Sequence, residues 1–329
     1  MAVYNRIGGG MNKVTLNGKI PPKRVNLKSV DTITWHENFL PERLNNLLLN
    51  QDGKIIFLGE GYALWEKEFG KPRTQIGSIN PYSVDMFFIQ DEIKYIVKNK
   101  SEYNGSSDTS IVEVYKIENG VATLLSTTYE SKVGTSNFEV KMYLKNEIYA
   151  HGKRSTVSSY RYFKSKDFGV TWTEITNQIV NNTNQDIESL FTTTNTININ
   201  DTIYLFKGTD ILKFDGKTFD VFKKDANIKW YKKTKDFTNR DLAHILDLET
   251  IYAATGSNKT KFTFYKLEKN SLDGIDINIE KTFECYMPGP QFINTKDLTC
   301  YIWETADKNL LCFKKYPVTA YVIEDREKG

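Results

Sequence analysis

Apolar residues along most of the chain recur at every second position, and clusters of Asn, Asp and Gly separate these runs. A period of two places successive side chains on opposite faces of an extended backbone, so the pattern predicts β-strands. Only residues 41–49 carry a helical signal, a proline at a first helical position followed by acidic and apolar residues. These residues also overlap a predicted strand, and the chain is therefore predicted to be nearly all β.

A strand pattern that repeats at intervals of 40 to 55 residues organises the chain. Six segments join a turn residue to a dense apolar strand, and their equivalent central residues are Ile55, Tyr95, Tyr149, Tyr204, Tyr252 and Tyr301. Another candidate strand precedes each segment, and a hairpin of aromatic strands follows at least five of them. Four strands per repeat predict a six-bladed β-propeller of four-stranded antiparallel blades over residues 32–329.

The two ends of the repeat series predict how the ring of blades closes. The series ends with a complete outer hairpin, whereas residues 62–76, the outer half of the first repeat, look poor in strand pattern. Exposed sheet edges invite aggregation, so a ring of blades needs its last blade completed. We therefore expect residues 31–35, Asp-Thr-Ile-Thr-Trp, to complete a blade beside the C-terminal strands.

Residues 1–31 do not follow the repeat and are predicted to form an extended N-terminal docking arm. Three consecutive glycines give the arm an adaptable backbone, and a pair of prolines favours an extended chain after them. We expect the arm to gain order by adding a strand to the sheet edge of a partner. The alternative is a terminus without fixed structure. The residues predicted to dock are Gly8, Gly9, Gly10, Val14 and Leu16.

The arm also carries a resemblance. Residues 11–19, Met-Asn-Lys-Val-Thr-Leu-Asn-Gly-Lys, are similar to the opening of several tail and baseplate proteins from phages of Gram-positive bacteria. In those proteins a short N-terminal module docks the protein on the particle. The resemblance implies that other tail or baseplate subunits are the partners of the arm.

A second resemblance lies in residues 165–172, which combine a turn with the start of a strand. An Asp side chain accepts hydrogen bonds from nearby backbone N–H groups, and Gly takes the positive φ of a tight reversal. The pattern Ser-x-Asp-x-Gly-x-Thr-Trp resembles the Asp-box of bacterial neuraminidase repeats, and its members are Ser165, Asp167, Gly169, Thr171 and Trp172. The resemblance implies a fold-stabilising turn on the outer part of a propeller blade, away from any catalytic pocket. Residues 214–219 look like a shortened relative of this box.

The catalytic machinery of neuraminidases is not recognisable in the sequence. Their mechanism uses three arginines, a tyrosine nucleophile assisted by a glutamate, and an aspartic acid as proton donor. The Phe/Tyr-Arg-Ile-Pro signature is missing, and the nearest string is Asn5-Arg6-Ile7-Gly8 in the arm. No catalytic residue is therefore assigned. A sialidase-like or other glycoside hydrolase stays the alternative, because facing carboxylates cannot be located among 41 acidic residues. The eight arginines are Arg6, Arg24, Arg43, Arg73, Arg154, Arg161, Arg240 and Arg326.

Other chemistries find little support. His36, His151 and His244 lack the spacing of metal ligands, and we expect neither a metal nor a cofactor. His151 follows a repeat segment and is expected to be a hydrogen-bonded structural residue, the alternative being a position facing a central channel. The odd number of cysteines argues against a disulfide framework. A net charge of +3 implies no nucleic-acid partner, and the chain shows neither a signal peptide nor a membrane span.

One surface candidate mixes aromatic and basic residues. Aromatic faces stack on sugar rings, and lysines attract anionic polymers, so such a stretch suits a glycan or anion. The alternative is a strand whose lysines extend over the edge of a blade. The residues are Trp230, Tyr231, Lys232, Lys233 and Lys235.

The sequence taken together predicts a non-enzymatic binding or assembly protein of a phage tail, baseplate or tail-like particle. The arm is expected to anchor the protein on the particle, and the blades to present loops to a host-surface polysaccharide. Synthesis in the bacterial cytoplasm and assembly into the virion tail follow from this hypothesis.

Overall fold

The backbone is built almost entirely from β-strands. The computed structural model describes residues 2–7, 10–15, 23–24, 31–40, 46–51, 54–58, 63–68, 71–78, 84–103, 105, 107–153, 159–193, 195–226, 228, 237, 239–251, 259–272, 274–285, 300–304, 308–313 and 318–325. The prediction of a nearly all-β chain is confirmed for these residues. No helix among them is long and apolar enough to cross a membrane.

The N-terminal residues form four strands. The first two pair antiparallel, with Ile7 opposite Gly10, in a hairpin of its own. The third is two residues long and pairs with the fourth. Their bounds are β1 (Ala2–Ile7), β2 (Gly10–Thr15), β3 (Lys23–Arg24) and β4 (Asp31–Leu40).

Three four-stranded antiparallel sheets follow in chain order. The first sheet contains β5 (Asn46–Gln51), β6 (Lys54–Leu58), β7 (Ala63–Glu68) and β8 (Thr74–Ser78). The second contains β9 (Met86–Gln90), β10 (Ile93–Tyr103), β11 (Asp108–Glu118) and β12 (Val121–Tyr129). After the short helix α1 (Glu130–Val133), the third contains β13 (Ser136–Leu144), β14 (Glu147–Lys153), β15 (Tyr160–Ser165) and β16 (Thr173–Glu174).

Three further sheets complete the described chain. The fourth sheet contains β17 (Val180–Asn181), β18 (Thr196–Ile199), β19 (Thr202–Lys207), β20 (Asp210–Phe214) and β21 (Thr218–Lys223). A 3-10 turn (Thr176–Gln178) precedes β17, and helix α2 (Ile187–Phe191) lies between β17 and β18. The fifth contains β22 (Leu242–Ile251), β23 (Lys259–Lys269) and β24 (Ile275–Cys285). The sixth contains β25 (Cys300–Glu304), β26 (Lys308–Phe313) and β27 (Val318–Asp325), followed by β4 and β3.

The same turn joins β9 to β10, β13 to β14 and β18 to β19 in the second, third and fourth sheets. In each turn both central residues have a positive φ, as a two-residue type I′ hairpin requires. Polar residues with short side chains tolerate this conformation best, and each of these turns contains at least one Asp or Asn. The pairs are Asp91–Glu92, Lys145–Asn146 and Asn200–Asp201. The recurring turn residue of the sequence pattern therefore marks a hairpin.

The hydrophobic core lies between the faces of neighbouring sheets. The largest cluster joins the second, third and fourth sheets and includes the fully buried Phe138, Phe191 and Phe214. Smaller clusters join the first sheet to the second and the fourth to the fifth. The first strands of neighbouring sheets also touch, as between β5 and β9, β9 and β13, β18 and β22, and β22 and β25. β25 of the sixth sheet in turn contacts β5 of the first.

The ends of the chain meet in the sixth sheet. β27 pairs antiparallel with β4, with Ile323 opposite Ile33 and Tyr321 opposite Trp35. The expectation that residues 31–35 pair with the C-terminal strands is confirmed. β3, which belongs to the predicted arm, adds to β4 in the same chain. This part of the arm therefore extends a sheet of its own subunit.

Three sequence expectations differ from the structure. The helical alternative for residues 41–49 is wrong from Asn46 onward, because β5 begins there. The first sheet has a full outer half, since β7 and β8 follow where strand pattern was judged poor. In the fifth sheet β22 runs without a break from the expected strand at residues 243–248 into the start of the segment expected around Tyr252, which itself lies outside the described residues. Pairing along the whole of β22 with β23 stabilises this single long strand.

Candidate functional site

The box turn, residues 165–172, connects β15 to β16 at one end of the third sheet. Asp167 Oδ1 accepts hydrogen bonds from Ser165 Oγ at 2.7 Å and Thr171 N at 2.8 Å. Asp167 Oδ2 accepts the hydroxyl of Thr171 at 2.6 Å. Gly169 has a φ of +88° and donates its N–H to Ser165 Oγ at 2.8 Å. The carboxylate of Asp167 and the hydroxyl of Ser165 thereby accept hydrogen bonds from the N–H and O–H groups of the turn itself.

The box turn also packs on the neighbouring second sheet. Thr128 of β12 donates its hydroxyl to Gly169 O at 2.9 Å and accepts the indole N–H of Trp172 at 3.0 Å. The ring of Phe168 stacks on Tyr95 at 4.5 Å between centroids. These contacts with Thr128 and Tyr95 join the third sheet to the second, as a fold-stabilising turn would. Within its own sheet, Trp172 meets Phe138 of β13 edge-on at 5.0 Å.

The electrostatics of Asp167 agree with a carboxylate that is held ionised. Partial burial acts to raise its pKa, but the hydrogen bonds from Thr171 and Ser165 outweigh burial and lower it. An ionised carboxylate that already accepts three hydrogen bonds has little capacity left for a substrate. We therefore assign Asp167 no chemical step.

A second turn of the same kind connects β20 to β21 in the fourth sheet. Asp215 Oδ1 accepts the backbone N–H groups of Lys217 at 2.8 Å and Thr218 at 2.7 Å. Gly216 has a φ of +98°, and a Cβ placed there would lie 2.8 Å from the hydroxyl of Tyr149 on the third sheet. This turn therefore packs on the preceding sheet, as the box turn does. It is the shortened relative that residues 214–219 suggested.

The opposite end of the third sheet carries a different set of residues. The register pairs Ile148 with Ser165 near the box turn and Lys153 with Tyr160 at the far end. Near that far end, β13 supplies two residues, β14 and β15 one each, and α2 another. We call this set the His151 cluster: Glu139, Lys141, His151, Tyr160 and Glu188.

His151 is the centre of this cluster and is 4% exposed. Its Nε2 lies 3.7 Å from Glu139 Oε2, which is too long for a hydrogen bond. Its ring stacks on Tyr160 at 5.0 Å between centroids. Its buried Nδ1 has no hydrogen-bond partner. The expectation of a hydrogen-bonded structural histidine is therefore not met by either ring nitrogen.

Glu139 and Tyr160 of the cluster have shifted pKa values. His151 and the ammonium group of Lys141 hold the pKa of Glu139 at about 2, although partial burial acts in the other direction. A hydrogen bond to Glu188, together with burial, raises the pKa of Tyr160. Glu139 is therefore expected to be charged at neutral pH, and Tyr160 to keep its proton.

An open groove of about 570 Å³ lies beside the cluster, between α2 and the turn that follows β19. Asp186 and Ser189 hold the start of α2, since Asp186 Oδ1 accepts the N–H of Ser189 at 2.7 Å. Glu188 belongs to both the cluster and the groove. Most groups along the groove are carboxylates, hydroxyls, an amide and an ammonium group, which suit a polar ligand. The lining residues include Asp186, Glu188, Ser189, Thr192, Asn195 and Lys207.

Other buried polar atoms also lack partners. Thr135, just before β13, and Thr196, the first residue of β18, each have a buried hydroxyl without a hydrogen bond. Thr135 lies against Gly152 of β14, and Thr196 follows the groove residue Asn195. Buried polar groups in native proteins are normally paired, and exceptions often mark ligand or water sites. Hydrogen-bonding groups therefore remain unused beside the cluster and the groove.

The other predicted site residues lie largely outside the described part of the chain. These are Trp230, Tyr231, Lys232, Lys233 and Lys235 of the aromatic-basic stretch, and Gly8, Gly9 and Leu16 of the arm. Gly10 and Val14 lie in β2, where Gly10 pairs with Ile7 and Val14 with Val3. Their predicted roles in docking stay predictions.

Glu139, Tyr160 and Glu188 were not predicted as site residues from the sequence. No motif joins them, because the three residues come from two strands and a helix that meet only in the folded chain. The one available signal was His151, a histidine beside a repeat segment. The described residues contain no group of three or more His, Cys, Asp or Glu side chains that could hold a metal ion.

Sialidases are among the solved structures that resemble this chain. The Trypanosoma rangeli sialidase aligns over 98% of this chain with 11% identity and a TM-score of 0.35. The Hadza microbial sialidase Hz136 aligns over 93% with 10% identity and a TM-score of 0.40. A Pyrococcus horikoshii acylaminoacyl peptidase aligns over 91% with 8% identity and a TM-score of 0.38.

This chain spans 57%, 65% and 57% of the lengths of those three chains, in the same order. At identities of 8% to 11%, the likeness assigns no residue of this chain a role. No protein-family model and no curated protein matches the chain. The similarity of residues 11–19 to phage tail and baseplate proteins stays a prediction.

Proposed function

We propose that this chain is a non-enzymatic glycan-binding and assembly protein, and that its six sheets are the blades of a β-propeller. Two features support the propeller. The first strands of several neighbouring sheets touch one another, and β25 touches β5, so the contacts run from the sixth sheet back to the first. β4 also ties the N-terminal part of the chain to β27.

The observation that carries the binding function is the unused polar capacity at the His151 end of the third sheet. His151 Nδ1 is buried without a partner, as is the hydroxyl of Thr196 in the fourth sheet next to the groove residue Asn195, and the groove beside α2 offers carboxylates and hydroxyls. A sugar presents many hydroxyls, each of which donates and accepts hydrogen bonds. A host-surface polysaccharide is therefore the ligand class that we assign to this groove.

The place of the protein in a phage tail or baseplate is a further part of the proposal. Among the residues that the structure describes, the hairpin β1–β2 pairs with none of the six sheets, so it suits a contact with another particle subunit. β3 adds to β4 in the same chain and would fix the base of this hairpin against the sixth sheet. Co-purification of the chain with other tail subunits, lost on deletion of residues 1–15, tests this part.

The glycan proposal is tested by titrating the purified chain with cell-surface polysaccharides of Gram-positive bacteria. Glu188→Gln keeps the size of the side chain but removes the charge from the groove, and we expect affinity to fall about tenfold or more. Glu92→Gln is the matched control, because Glu92 is an exposed residue in the turn between β9 and β10. Equal affinities of wild type and Glu188→Gln would contradict the proposal, as would a wild type that binds no polysaccharide.

One observation favours a glycoside hydrolase as the second candidate. Tyr160 donates to Glu188, and the charge of Glu139 also acts on Tyr160, so a tyrosine and two carboxylates share one end of the sheet. The raised pKa of Tyr160 opposes a role as nucleophile. Within the described residues, Arg161 pairs with Glu174 and Arg73 lies over the Trp65 ring at 4.0 Å, so both are engaged away from the cluster. Release of product from chromogenic glycosides by the wild type, lost in Tyr160→Phe, would establish this candidate instead.

A further inference from the structure

The side chain of Asn99 on β10 reaches from the second sheet to the backbone of the third. Val140 N donates to Asn99 Oδ1 at 2.8 Å, and Asn99 Nδ2 donates to Val140 O at 3.1 Å. Val140 lies on β13 between Glu139 and Lys141, two members of the His151 cluster. The amide of Asn99 is therefore attached to the segment that carries these two charged side chains.

Asp85 fixes the backbone from which the Asn99 side chain projects. β9 pairs with β10 only as far as Met86 opposite Val97. Beyond this pair, Asp85 N donates to Val97 O at 3.1 Å, and Asp85 Oδ2 accepts the N–H of Asn99 at 2.7 Å. Side chains two positions apart on a strand share a face, so Asn99 lies on the same face as Val97, which belongs to the core shared with the third sheet. The amide of Asn99 is thereby directed toward β13.

β13 has a bulge at the point that Asn99 binds. Glu139 lies opposite His151, but the register of β13 and β14 shifts after Val140, so Lys141 is an extra residue without a partner on β14. β13 is also the edge strand of the third sheet, and in the described part of the chain no strand pairs with its other side. A bulge disrupts the ladder of backbone hydrogen bonds, so the strand needs another partner to keep one conformation there. The two hydrogen bonds of Asn99 supply that partner.

We propose that Asn99 is a positioning residue of the His151 cluster, because it holds the bulge of β13 so that Lys141 stays paired with Glu139. The ammonium group of Lys141 forms an ion pair with Glu139 Oε2, the oxygen that lies 3.7 Å from His151 Nε2. Without the amide, the N–H and C=O of Val140 would lose their partner, and the bulge could relax away from this arrangement. The inference rests on the proposed function only in treating the cluster as part of a binding site.

A pH titration of the full chain, followed by NMR of the Glu139 carboxyl group, tests this role without any ligand. His151 and Lys141 hold the pKa of Glu139 at about 2, below its ordinary value of 4.5. Asn99→Leu keeps a side chain of similar size and removes both hydrogen bonds to Val140. We expect the pKa of Glu139 to rise by about one unit or more in this variant, because the positive charge moves away from the carboxylate.

Thr128→Val is the matched control, because Thr128 also makes two hydrogen bonds from the second sheet to the third, but at the box end. It should leave the pKa of Glu139 unchanged even if it lowers stability. Asn99→Ser, whose side chain is too short to reach Val140, should raise this pKa as well and serves if Asn99→Leu does not fold.

An unchanged pKa of Glu139 in the folded Asn99 variants would overturn the proposal, as would an equal rise in Thr128→Val. The second result would mean that any loosening between the two sheets disturbs the cluster. Because the titration involves no ligand, a wild type that binds no polysaccharide would contradict the proposed function and leave the role of Asn99 intact.

Discussion

The two ends of the third sheet show how differently one sheet can use its polar residues. At the box end, Asp167 accepts three hydrogen bonds, and Glu147 accepts Tyr149 at 2.8 Å and Lys164 at 3.0 Å. At the other end, His151 is more deeply buried than either carboxylate but has an unpaired Nδ1. The same four strands therefore hold a set of satisfied groups at one end and a set with spare capacity at the other.

Whether the hydrogen-bonding groups of a polar residue are already used within the protein indicates its role better than its residue type does. A polar group whose bonds are all made inside the protein contributes to stability and has little to offer a ligand. A buried polar group without a partner lowers stability, and a bound ligand or water can recover the loss. Substitutions at the box end should therefore change stability, and those at the His151 end should chiefly change binding.

The largest effect is expected for Asp167→Ala. The substitution removes the acceptor of three hydrogen bonds in the box turn, and we expect the free energy of unfolding to fall by about 2 kcal/mol. Chemical denaturation of the purified chain measures it. Val170→Ala, at an exposed residue of the same turn, should change it by less than about 0.5 kcal/mol. Similar losses in both variants would mean that the carboxylate does not hold the turn.

A smaller effect on the free energy of unfolding is expected when low pH protonates Glu139 at the His151 end. The folded pKa of Glu139, about 2, lies below its ordinary value of 4.5, so its contribution is present above pH 4.5 and lost as the pH falls toward 2. The side chain is 40% exposed, so solvent screening reduces this contribution to about 1 kcal/mol. Unfolding curves at several pH values should show wild type losing this much more than Glu139→Gln. If the free energy of unfolding of wild type and Glu139→Gln changed with pH in the same way, the ion pair between Glu139 and Lys141 would be contradicted.

The smallest effect is expected for His151→Phe. The phenyl ring can keep the stack on Tyr160 and removes the unpaired Nδ1, so the free energy of unfolding should stay within about 0.5 kcal/mol of wild type. Polysaccharide affinity should nevertheless fall, because the spare hydrogen-bonding group is gone. A loss of stability as large as that of Asp167→Ala would show that both ends of the sheet serve the fold alike.

Much of the fold follows from local sequence. Tyr95, Tyr149 and Tyr204 lie in β10, β14 and β19, each the second strand of its sheet, because a polar turn before an apolar strand specifies a hairpin with little help from elsewhere. The pairing of β4 with β27 also followed from counting strands. β7 was not predicted, because charged residues such as Glu66 and Lys67 weaken its strand pattern. Pairing with β6 and β8 outweighs this weak local preference for a strand.

The candidate site was much harder to predict. Glu139, Tyr160 and Glu188 meet only because sheet register and the position of α2 bring distant residues together. The box turn, in contrast, uses five residues within eight positions and could be recognised as a motif in the sequence. A turn made of consecutive residues can be recognised in the sequence, whereas a site whose residues come from several strands cannot.

The pairing of β4 with β27 bears on how the chain is made. β4 leaves the ribosome long before β27, so the two strands cannot pair until residues 318–325 have been made. Until then, β4 lacks its neighbour in the sixth sheet. Ribosome-bound chains that stop before residue 318 should therefore leave this strand open to proteases or to a chaperone, and chains that include residues 318–325 should protect it.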